Sequence, residues 1–132
     1  KTHLAQAAAH NAVNRPQTRR LVYRTEVRLQ SEITSSPIDN REAMMAEVCS
    51  VPWLVLDDLG EAAKTAQWGS TLDRLVDSRW LDRSCRTLIT TNLMSDRMSL
   101  RMASRLRDAG RCRRVVIDAP DYRIHQGRPE GS

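Results

Sequence analysis

The side chains that could do chemistry here are spread along the chain: Lys1-Thr2 at its start, Asp57-Asp58 after an apolar run, Asn92 after another, and Arg101 and Arg105 beyond. Adjacent carboxylates are costly unless a cation or hydrogen-bond donors neutralise them, and a magnesium ion carrying nucleotide phosphates uses one or two such carboxylates. A Lys-Thr pair opening a helix suits phosphate: the ammonium reaches phosphate oxygens, the hydroxyl ligates magnesium, and the helix N-terminus favours anions. Alone, that pair has no specificity. The stretch Val51 to Gly60 also has a plainer reading, a buried strand followed by an Asp-Asp-x-Gly turn, because Asp and Gly are ordinary turn residues. Both readings stand for that stretch in isolation. Cys49, Cys85 and Cys112 are odd in number and widely spaced, which suggests neither a disulfide framework nor a zinc site, and His3, His10 and His125 lack ligand spacing.

The chain that positions these residues has 132 of them, enough for one domain with one core. It carries 21 Lys+Arg against 16 Asp+Glu, a net charge of +5, and nearly all the basic residues are Arg. That balance favours an anionic partner, and the planar guanidinium pairs bidentately with phosphate. No apolar run approaches the roughly 18 residues a bilayer span needs and no signal peptide is visible, so a cytoplasmic setting without membrane is the default. The chain begins at Lys1 without Met and reads as a fragment.

The Ala-rich segment Thr2 to Asn14 predicts a helix ending near Pro16, with Leu4, Ala8 and Ala12 toward the core. Arg20 to Arg24 predicts a short strand, and Thr25 an N-cap for a helix through Ile33 with Val27, Leu29 and Ile33 as contacts. A loop over Thr34 to Asn40 and a helix from Arg41 to Val48 precede the apolar strand from Val51. That strand is uninterrupted rather than alternating, as expected when both faces are buried. Ala66 to Asp82 has helical spacing, with Trp68 and Trp80 as core or rim packing, and Arg86 to Asn92 predicts a second clean strand. Ser95 or Asp96 would cap a helix to about Asp108 that stops at Gly110, and Arg113 to Asp118 reads as a final strand. Residues 1–123 form the domain and residues 124–132 a polar, flexible tail. Alternating strands and helices give an α/β fold with a mostly parallel sheet, and ligands of such sheets bind at the carboxyl ends of strands.

Lys-Thr and a helix, a strand, Asp57-Asp58 after an apolar strand, then Asn92 after the next: in that order the chain resembles the P-loop ATPases of the AAA+ class. Within it, the chain resembles the DnaC/IstB-like helicase loaders and transposition helpers over nearly its whole length. The resemblance implies a three-layer P-loop NTPase fold. It places Lys1 and Thr2 at the end of Walker A, with Lys1 on the β- and γ-phosphates of ATP and Thr2 on magnesium. Asp57 falls in Walker B, holding magnesium directly or through water. Asp58 stands where most relatives have the Glu that polarises water, and it is shorter than Glu. Asn92 matches sensor 1, and Arg105 the arginine finger that reaches the γ-phosphate of an adjacent protomer, which implies a homo-oligomer. Arg101 and Arg107 are open between subunit contacts and surface charge. The implied partners are a replicative helicase or a transposase, and single-stranded DNA, for which Arg24, Arg28 and Arg41 are candidate contacts beside the plainer reading of solvated charge.

By the same resemblance, the first strand and most of the P-loop are missing. That strand would lie between the Asn92 strand and the final strand, leaving two buried strands with unpaired backbone groups. The isolated chain is expected to bind ATP poorly, and the complete parent protein to bind and slowly hydrolyse it. An alternative is a nonhydrolytic DNA-binding or partner-assembly module, and a third reading, an initiator-type AAA+ protein, would need a duplex-DNA-binding domain after Ser132.

Overall fold

The computed structural model describes residues 1–16, 20–93 and 97–119. In chain order its elements are α1 (Thr2–Val13), β1 (Leu21–Thr25), α2 (Glu26–Ser35), α3 (Ile38–Ser50), β2 (Trp53–Leu59), α4 (Ala66–Leu81), β3 (Arg86–Thr91) and α5 (Leu100–Arg107). The strands are all parallel, in the order β1-β2-β3. β2 is central, and its lack of alternation follows from that position. Leu54 and Leu56 pack into a cluster with α2, α3, α4 and α5, while Val55 on the opposite face meets Ala5 and Ala9 of α1. Each large apolar side chain so buried contributes about 1.5–3 kcal/mol. The result is an α/β fold, a small parallel sheet with helices on both faces.

The helix starts follow side-chain capping. Thr25 Oγ1 accepts from the Arg28 amide at 3.2 Å, and Thr65 Oγ1 accepts from the Trp68 amide at 3.1 Å. Ser99 caps α5 by accepting from Met102 N at 3.1 Å. The cap expected at Ser95 or Asp96 is therefore replaced by Ser99 for this helix, and those two residues lie outside the described ones. α3 begins earlier than the expected Arg41, because Pro37, with φ of −52°, is already set for a helix start, and the loop shrinks to a tight link.

Three further expectations are corrected. α1 buries Ala5, Ala9 and Ala12 while Leu4 is 58 % exposed and Ala8 is exposed, so the helix is rotated from the expected face. Alanine lets the helix lie close over Leu21, Tyr23 and Leu88, an approach that Leu4 would obstruct. On α2, Leu29 and Ile33 are buried as expected, but Val27 is half exposed and Glu26 takes an interior position instead. Arg113 to Asp118 does not form a strand: it makes no ladder, and Val115 and Val116 are 71 % and 73 % exposed. Nothing pairs with the free edge of β3 among the described residues, and a strand without a neighbour gains neither ladder hydrogen bonds nor burial. The expected tail, 124–132, lies outside the described residues.

At the amino ends of the strands one side chain ties three elements together: α3, α4 and β3. Arg79 of α4 is only 5 % exposed. Its guanidinium donates to the carbonyls of Val48, Cys49 and Val51 at the end of α3, to the Arg86 carbonyl, and to Thr87 Oγ1 on β3. The Val48 and Cys49 carbonyls are among those a helix end leaves without partners, at the negative end of its dipole.

Candidate functional site

The carboxyl end of β2 is irregular. Leu56 pairs with Ile89 and Leu59 with Thr91, so β2 holds one residue more than β3 across the interval containing Asp57 and Asp58. The extra residue is a β-bulge, a device that re-aims side chains at sheet ends. Asp58 takes a φ of +56°, a left-handed conformation that Asp tolerates better than most residues, and Gly60 follows at +107°. The threonines of β3 satisfy the disturbed backbone. Thr90 Oγ1 accepts from the Asp58 amide at 2.9 Å, and Thr91 Oγ1 donates to the Leu59 carbonyl at 2.7 Å.

Asp57 is fully buried. Tyr23 of β1 donates its hydroxyl to Asp57 Oδ2 at 2.5 Å, Thr90 donates to Oδ1, and the Thr2 hydroxyl bonds the same carboxylate. Burial alone would push the Asp57 carboxyl up, but the hydrogen bonds from Thr90, Tyr23, Thr2 and the Asp58 backbone together hold it below its ordinary value. The Tyr23 hydroxyl is pushed well above its ordinary value, first by burial and then by its bond to Asp57 and the charges of Asp57 and Asp58. Lys1 closes the group: its Nζ donates to the Thr91 carbonyl at 2.7 Å and to Asn92 Oδ1 at 2.6 Å. The fold therefore brings Lys1, Thr2, Asp57 and Asn92 into one cluster, with the half-buried Asp58 beside them.

The lowered Asp57 carboxyl has a consequence for acid stability. A carboxylate whose folded pKa lies below its unfolded one, about 4, contributes its stability fully above the unfolded value and loses it as pH falls through the folded value. The urea midpoint is therefore expected to be higher at pH 6 than at pH 3, and Tyr23→Phe to narrow that difference. A gap unaffected by Tyr23→Phe would count against the role given to its hydroxyl.

The donors around Asp57 are hard oxygens: its own carboxylate, the Thr2 hydroxyl and the neighbouring Asp58. No group of three or more His, Cys, Asp or Glu side chains able to hold a metal occurs among the described residues. Hard oxygens of this kind could hold magnesium, which takes one or two carboxylates and completes its shell with water and phosphate.

Arg105 is not part of this cluster. Its Nε donates to Asp77 Oδ1 at 2.9 Å and its guanidinium lies 4.1 Å from the Trp80 ring centroid, as does that of Arg111. Arg101 also pairs with Asp77, at 3.4 Å. Trp80, Arg105 and Arg111 border a cavity of about 330 Å³ near the amino ends of β2 and β3, bounded also by Leu54, Arg86 and Thr87. The candidate DNA contacts are also engaged internally. Arg24 and Arg28 share Glu32, each at 2.9 Å, and Arg41 donates to the Ser36 and Thr34 carbonyls at the end of α2.

Three residues of the site escaped sequence reasoning: Tyr23, Thr90 and the buried Glu26. Thr90-Thr91 beside Asn92 is a visible hydroxyl pair, but only the bulge explains it. Tyr23 and Glu26 lie 34 and 32 positions from Asp57 and Asp58, respectively, with no spacing signal to join them.

Comparisons with protein-family models, with curated proteins and with solved structures found no match for the chain. No helix among the described residues is long and apolar enough to cross a membrane.

Proposed function

We propose that the chain carries the magnesium-side part of an ATPase site of the P-loop, AAA+ type, of the DnaC/IstB-like kind. The observation that supports this reading best is the convergence of Lys1 and Thr2 on Asn92 and Asp57, residues remote in sequence, at the carboxyl end of a parallel sheet. In this reading Lys1 binds phosphate oxygens, exchanging its internal acceptors for them. Thr2 and Asp57 would hold the magnesium, which would neutralise charge on the phosphates. Asn92 orients the attacking water and Asp58 draws on its proton. The water oxygen bonds to the γ-phosphorus while the bond to the bridging oxygen breaks, releasing ADP and phosphate.

Arg105 would act on a neighbouring protomer only after leaving Asp77 and Trp80. The proposed setting is cytoplasmic, in DNA replication or transposition, with a replicative helicase or a transposase and single-stranded DNA as partners. A nonhydrolytic assembly module is the second reading, favoured by the internal engagement of both Lys1 and Arg105.

The test is nucleotide titration of the protein expressed from the whole reading frame that encodes this chain. ATP with magnesium is expected to bind, and Lys1→Ala to weaken it on the order of tenfold or more, the loss of one charge-assisted phosphate contact. Binding without phosphate release would select the nonhydrolytic module, and no binding would end the ATPase reading.

A further inference from the structure

Glu26, on the first turn of α2, is 3 % exposed, and the reaction outlined above makes no use of it. Its carboxylate faces N–H donors. Oε2 accepts from the backbone amides of Gly60 and, at 3.4 Å, Ala62, while Oε1 accepts from Trp68 Nε1 at 2.8 Å. Only a group that accepts at both ends suits such a position. A glutamine would turn its own NH₂ toward either the amides or the indole, leaving donors facing donors in a buried place.

What Glu26 holds is the turn that follows the two aspartates. Asp58 is fixed on one side by the Thr90 hydroxyl at its amide, and its carbonyl accepts from Glu61 N at 3.3 Å. Gly60, two residues on, takes a φ of +107°, and a Cβ there would come within 2.4 Å of the Leu93 side chain. Leu93 adjoins Asn92, the acceptor of Lys1. The Gly60 amide is thus pinned by Glu26 in the narrow place where the Asp58 turn meets the Asn92 loop. Gln30, one turn further along α2, holds the same segment by donating to the Ala63 carbonyl at 2.8 Å.

We propose that Glu26 is a positioning residue for Asp58: by fixing the Gly60 amide it holds the turn that carries Asp58. This rests on the ATPase reading of Asp58. It differs from mere stabilisation because the three N–H bonds of Glu26 divide between the turn and Trp68, and only the first set bears on Asp58.

The experiment compares Glu26→Gln and Trp68→Phe in the protein expressed from the whole reading frame, by steady-state phosphate release, nucleotide binding and thermal melting. Glu26→Gln is expected to lower kcat by on the order of tenfold to a hundredfold, the scale of a small misplacement of a reacting group, with nucleotide affinity kept. Trp68→Phe, which leaves the bonds from Glu26 to the backbone in place, is expected to lower the melting temperature but to retain kcat. If Glu26→Gln does not fold, Glu26→Asp reads the same contrast, since it keeps the charge but draws the acceptor back by one methylene. Equal kcat in wild type and Glu26→Gln overturns the positioning role and leaves the ATPase reading intact, and so does a kcat loss that tracks melting temperature in both variants. A wild-type protein that releases no phosphate overturns the ATPase reading and this role with it.

Discussion

Replacing Arg79 with Met is expected to lower stability by about 3–5 kcal/mol, because several buried acceptors lose their donor at about 1–3 kcal/mol each before any relaxation. Met fills much of the same volume, so the loss reports the polar contacts rather than a cavity. The guanidinium reaches the carbonyls of Val48, Cys49, Val51 and Arg86 and the Thr87 hydroxyl, so its removal strands helix-end carbonyls and unties α4 from the end of α3 and the start of β3. Burial lowers the Arg79 pKa, but an arginine stays charged throughout the usual pH range, so the effect is not a titration. Urea unfolding followed by tryptophan fluorescence measures it. A midpoint shift worth less than about 1 kcal/mol, the net value of one ordinary hydrogen bond, would show that water or neighbouring groups replace these contacts.

Asp57→Asn is expected to reduce phosphate release by on the order of a hundredfold to a thousandfold, comparable to removing one preorganised electrostatic group from an active site. The variant keeps the shape of the side chain. It removes the charge that the Thr2, Thr90 and Tyr23 hydroxyls surround, and with it the carboxylate proposed to hold magnesium. Stability should fall by only about 1–2 kcal/mol, because the three hydroxyls can rotate to meet an amide. Phosphate release at saturating ATP and magnesium, with a urea midpoint as control, separates the two effects. Turnover close to that of the unchanged protein would remove Asp57 from the proposed chemistry, whatever the stability.

The elements were legible where local chemistry decides them. The apolar run from Val51, the Thr25 cap, the helical spacing of Trp68, Leu72, Leu75 and Val76, and the clean strand from Arg86 all fold as their patterns require. Patterns failed where a distant neighbour decides. Whether α1 buries Leu4 or Ala5 depends on how closely the helix must approach the sheet. Whether Arg113 to Asp118 becomes a strand depends on a neighbour that an apolar run cannot supply for itself.

The same division holds at the site. By itself the sequence determined that Asp57 and Asp58 end a buried strand and that Asn92 ends the next, because strand burial and turn chemistry act over a few residues. Only the tertiary structure decided that β2 bulges at those aspartates, that Tyr23, Thr90 and Thr2 meet around Asp57, and that Glu26 reaches the turn beyond Asp58. The physical reason is that a buried carboxylate needs donors on every side, and in a parallel sheet those donors come from neighbouring strands and helices, far away along the chain.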